Sequence, residues 1–107
     1  MNAGGERSLR ALIAAALCAA CSATVRLDQH VGSIEQMVLD AEEAGAMHCA
    51  PRQLAVARSH LAFAQMEREQ GFISKAQRHL EIADEHARAA RILSPAARCG
   101  ARAARSD

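Results

Sequence analysis

Small and aliphatic residues recur at steps of three and four in three separate stretches: Leu27, Val31, Ile34, Val38 and Ala41; then Leu54, Ala57, Leu61 and Ala64; then Ile73, Ala76, Leu80, Ala83, Ala87 and Ala90. Such steps put the residues on one face of an α-helix and scatter them over both faces of a strand. The spacing predicts three amphipathic helices, over roughly 25–45, 51–70 and 72–93. The punctuation agrees. Gly45 is a stop signal followed by a loop to residue 50, Pro51 suits a first helical turn, and Ser94-Pro95 closes the third helix because the residue before proline is pushed out of the α region.

The link at Gly71 is too short for anything but an antiparallel hairpin of the second and third helices. Alanine alternating with leucine along both seams lets their axes approach closely. With no Trp or Tyr, two Phe residues and few β-branched residues, the chain lacks what fills strands, so the fold class is all-α: a three-helix arrangement containing a helical hairpin. At 107 residues there is room for one domain.

The first twenty residues obey a different logic. Arg7 and Arg10 precede ALIAAALCAA, residues 11–20, an apolar run without a charge or polar face that stops at Cys21-Ser22. This is the layout of a secretory signal. At about 1.5 Å of rise per residue the run covers about half of a hydrocarbon core about 30 Å thick, which disfavours a stable membrane span. The expected division is a signal peptide over 1–20, a linker over 21–26, a helical domain over 27–95 and a flexible tail over 96–107, where Arg98, Arg102 and Arg105 accompany no sustained apolar period. Glu6, Arg7 and Arg10 fall in the signal, so the thirteen basic and twelve acidic residues of the chain leave eleven of each after Ala20. A neutral chain with no basic face interleaved with aromatics has no support for nucleic-acid binding.

Leu17-Cys18-Ala19-Ala20 ahead of Cys21 resembles the lipobox of bacterial lipoproteins, with Cys18 where that motif carries an aliphatic residue and Leu17 one place further back. The resemblance implies that Cys21 becomes the acylated first residue and ties the protein to the periplasmic side of the envelope, the outer membrane before the inner. The alternative is an ordinary signal-peptidase cut nearby, releasing a soluble periplasmic protein that binds a ligand or metal. GFISKAQRHLEIA, residues 71–83, is similar to the turn and second helix of a tetratricopeptide repeat, with Gly71, Ala76, Leu80 and Ala83 at its small and apolar positions and no second copy in the chain. More broadly, Ala50 to Ala90 resembles an Ala-rich helical domain of uncharacterised bacterial envelope lipoproteins, often found ahead of an OmpA-like peptidoglycan-binding domain. The expected role is a helical scaffold or protein-interaction module whose partners are another envelope protein or a second copy of itself, met through amphipathic faces that the principal seam does not use.

Four cysteines remain to be placed. Cys18 lies in the expected signal and Cys21 is the lipid site that the lipobox resemblance implies, and the remaining two are Cys49 just before the second helix and Cys99 just after the third. Antiparallel helices of similar length, about 30 Å, bring both to the same end, and export permits a disulfide between them. The five histidines, His30, His48, His60, His79 and His86, include His48 beside Cys49 and the pair His79 and His86 on one helical face. Without HExxH or paired CxxC motifs they read as solvent-facing or capping residues, and neither a metal nor another cofactor is expected. No nucleophile elbow, phosphate-cradling loop or isolated acid pair marks an enzyme. Phe63, Met66, Phe72 and Ile82 lie off the principal seam and are the candidate partner-binding residues.

Overall fold

A computed structural model describes residues 3–106, all of it helix and short connections. The elements are α1 (Ala3–Glu43), α2 (Ala46–Cys49), α3 (Pro51–Glu69), α4 (Ile73–Ile92) and α5 (Ala96–Ser106). Every residue of the three sequence stripes except Ile73 is buried, and Ile73 packs half-buried against the same core. Ile34, Leu54 and Leu80 are the largest apolar side chains wholly removed from solvent. Ala57 and Ala64 on α3 and Ala76, Ala83, Ala87 and Ala90 on α4 are at zero exposure, so the hairpin is held by close backbone approach more than by bulk.

The turn between α3 and α4 shows why Gly71 is needed. Its φ of 82° lies in the left-handed region, where a side chain is strained, and the last turn of α3 closes with Gly71 N–H on the Arg68 carbonyl at 3.0 Å and Phe72 N–H on the Glu67 carbonyl at 2.8 Å. The chain therefore reverses within three residues. α1 lies antiparallel to α3 and parallel to α4, its orientation fixed by polar ties along its length: Arg68 donates to Asp28 at 2.7 Å, Gln65 to Glu35, and Arg58 Nε to Glu42 at 2.7 Å. These pairs are solvent-exposed and each is worth at most about 1 kcal/mol, so they set register while the buried stripe supplies the stability.

Three expected boundaries move. α1 is one continuous helix through the expected linker 21–26, where Ser22 and Thr24 donate back to the carbonyls of Cys18 and Ala20 and nothing breaks the ladder. The expected loop 45–50 winds into the single turn of α2. The expected flexible tail forms α5, begun by Arg98 and Cys99 N–H groups on the Pro95 carbonyl. Its alanines and arginines are strong helix formers, and Cys99, only 2% exposed, docks its first turn.

Among the described residues, none ahead of Leu27 on α1 is buried. Leu27 is the first buried residue of the helix, and Leu9, Leu12, Ile13, Leu17 and Val25 are each more than half exposed. This projecting segment gives the molecule its long axis of 79 Å against 21 and 19 Å across.

Candidate functional site: two ends and one uncovered face

The end of the body formed by α2, the α4–α5 corner and the start of α5 holds Cys49 and Cys99. Their Sγ atoms are at a bonded 2.12 Å, with Cα atoms 5.9 Å apart and a sequence separation of 50. The expected pairing thus coincides with the geometry. Gly45 is its second tie. It adopts a φ of 93°, and a Cβ at this position would stand 2.3 Å from the Cys99 carbonyl oxygen, so α5 seats only because residue 45 has no side chain.

α1 covers one side of the hairpin and leaves the other bare. On the bare side α3 carries His60, Phe63 and Glu67, and α4 carries His79, Ile82 and His86. His60 Nδ1 and His79 Nδ1 are 2.8 Å apart across the hairpin, so one ring must donate and the other accept. Phe63 stands against both rings, its centroid 5.4 Å from that of His79 and 6.0 Å from that of His60. Glu67 reaches the far nitrogen of His79 at 3.6 Å, and both Glu67 Oε2 and His86 Nδ1 are buried without a hydrogen-bond partner.

Two protonated imidazoles cannot share that contact. Burial lowers the His60 pKa from the usual 6.5, and the neighbouring His79 and His86 lower it further. The unfolded chain therefore takes up a proton near pH 6.5 that the folded chain resists, and stability is complete above that pH and is lost as pH falls below it. The urea midpoint should be lower at about pH 5 than at about pH 7.5, and His60→Gln should narrow the difference. Equal midpoints for the unaltered chain at the two pH values would contradict this.

The four candidate partner-binding residues are all exposed, Phe63 at 46%, Met66 at 47%, Phe72 at 49% and Ile82 at 36%. They do not form one patch. Phe63 and Ile82 share the bare face with the histidines, Met66 lies round α3 from them, and Phe72 sits at the turn with the Lys75 ammonium 4.9 Å above its ring. Cys21 is exposed on the projecting part of α1, as is Cys18. Among the described residues, no group of three or more His, Cys, Asp or Glu side chains is arranged to hold a metal ion. The His60–His79 pair has no signature in the sequence beyond antiparallel pairing about residue 70, which sets position 60 opposite 79 and 80.

Comparison of the chain with protein-family models, with curated proteins and with solved structures finds no match.

Proposed function

We propose that this chain is a small bacterial cell-envelope lipoprotein whose helical body is a scaffold or protein-interaction module. In this reading residues 1–20 direct export and are removed, Cys21 carries the lipid, and the body stands on the periplasmic side of the membrane. The observation that carries it is the division of α1: an apolar N-terminal part that nothing covers, Cys21 exposed near its end, and a buried stripe beginning six residues later at Leu27. A soluble domain that kept such a segment would hold Leu9, Leu12, Ile13 and Leu17 in water at a cost of about 25 cal/mol for each Å² left unburied. Removal by the export machinery, or insertion into a bilayer, relieves it.

The hairpin, similar over residues 71–83 to the second half of a tetratricopeptide repeat, presents Phe63 and Ile82 on the side α1 leaves bare. Aromatic and aliphatic side chains beside partly buried polar groups are what an interface core uses. The partner is another envelope protein or a second copy. A photoreactive residue placed at position 63 or 82 in living cells should give a discrete adduct heavier than the monomer, absent when the same group replaces Glu43 on α1. Adducts from neither position, or the same ones from position 43, would count against the module.

A further inference from the structure

The antiparallel packing of α3 on α1 decides which end of the body meets the membrane. Arg68, in the last turn of α3, is bonded to Asp28 at 2.7 Å, so the α3–α4 turn lies at the Cys21 end of the molecule and the disulfide at the opposite end. Cys21 precedes Asp28 by seven residues, about 10 Å along the helix axis, and the turn extends three or four residues past Arg68 in the same direction, covering about half of that gap. A bilayer holding acyl chains at Cys21 therefore passes within about one helical turn of Phe72.

The chemistry of that turn suits a bilayer. Phe72 is half exposed in a turn with Gly71, Ser74 and Lys75. Lys75 and Arg78 follow it one helical turn apart on α4, both exposed and without an ion-pair partner among the described residues, and Arg26 stands exposed on α1 between Cys21 and Asp28. The acidic groups at this end are Asp28, engaged with Arg68; Glu67, turned to His79; Glu35, accepting from the Gln65 amide; and Glu69, exposed. Between Gly71 and Leu80 the chain carries Lys75 and Arg78 and no carboxylate, so the surface of the turn itself is locally positive. The opposite end holds His48, Leu93, Pro95 and Arg98 around the disulfide. An aromatic ring at headgroup depth, flanked by long basic side chains that reach phosphates while their stems lie on apolar surface, is a recurrent interfacial arrangement.

We propose that the Gly71–Arg78 turn is a second membrane contact: Phe72 enters the interface of an anionic bilayer, Lys75 and Arg78 pair with its phosphates, and the body is held upright beside its anchor. This rests on the lipid-anchor reading of Cys21, and the test separates the two. The full chain is purified from the membranes of cells fed labelled fatty acid, as Phe72→Trp and separately as Leu93→Trp, and placed in vesicles of phosphatidylethanolamine and phosphatidylglycerol with brominated acyl chains. Both sites are about half exposed, so neither change disturbs the core. The proposal expects blue-shifted emission and several-fold stronger quenching for Phe72→Trp than for Leu93→Trp, with the excess lost when Lys75→Glu and Arg78→Glu are added. Equal quenching at the two ends overturns it, even if Cys21 carries the label. Strong quenching at position 72 with no label on Cys21 overturns the anchor and supports the tip.

Discussion

Replacing Cys49 and Cys99 together by serine should lower the melting temperature of the helical body by roughly 20 °C. A bond closing a loop of fifty residues restricts the unfolded chain by about 4 kcal/mol in the chain-entropy treatment, and each kcal/mol moves the midpoint of a domain this small by about 4–8 °C. Few domains of under about ninety residues have much more than that in hand. The structural effect should begin at α5, whose packing rests on α2. With eleven residues it is too short to hold its shape alone, since isolated helices under about 12–15 residues are marginal in water. Hydrogen exchange should therefore show α5 losing protection before α3 or α4 when the bond is reduced, and identical melting with and without reductant would contradict the assignment. Gly45 makes the dependence sharper, because the space for the Cys99 backbone exists only at a residue lacking Cβ.

How much of this is legible in the sequence follows from the physics of each feature. The buried stripe from Leu27 to Ala90 can be read residue by residue, because spacing and side-chain size alone determine which positions face inward in a helix. Gly71 and Pro51 mark the ends of α3 to within a residue or two, since each has a backbone preference independent of context. The continuity of α1 across residues 21–26 cannot be read the same way, because Ser22 and Thr24 are neutral in propensity and their return bonds to the helix emerge only once it exists. α5 looks like a tail in sequence because its arginines accompany no apolar period, while the docking that orders it comes from one buried cysteine and one glycine far away in the chain. The His60–His79 contact demands a hairpin register correct to one residue, which the alanine seams alone do not provide, since neighbouring alanine matches differ little in size.

The larger effect is expected at a single sulfur. If Cys21 is the point at which a precursor becomes a membrane-bound product, Cys21→Ser should abolish acylation outright and leave the precursor uncut or released without lipid. Several acyl chains, with about 0.8 kcal/mol for each methylene buried, hold a protein of this size stably to a bilayer. The effect is all-or-none in fractionation, where the unaltered protein should sediment with membranes and the variant should not be retained through the lipid. It also separates export from stability, because Cys21 lies outside the core and its replacement leaves the Leu27–Ala90 packing intact.

The most direct measurement is the intact mass of the protein recovered from bacterial membranes. A lipid-anchored envelope protein should have lost residues 1–20, carry the added mass of a diacylglyceryl group and an N-acyl chain on Cys21, and be two hydrogens lighter for the Cys49–Cys99 bond. A product that begins at Met1, or one that begins near Cys21 with no acyl mass, would contradict the lipid anchor.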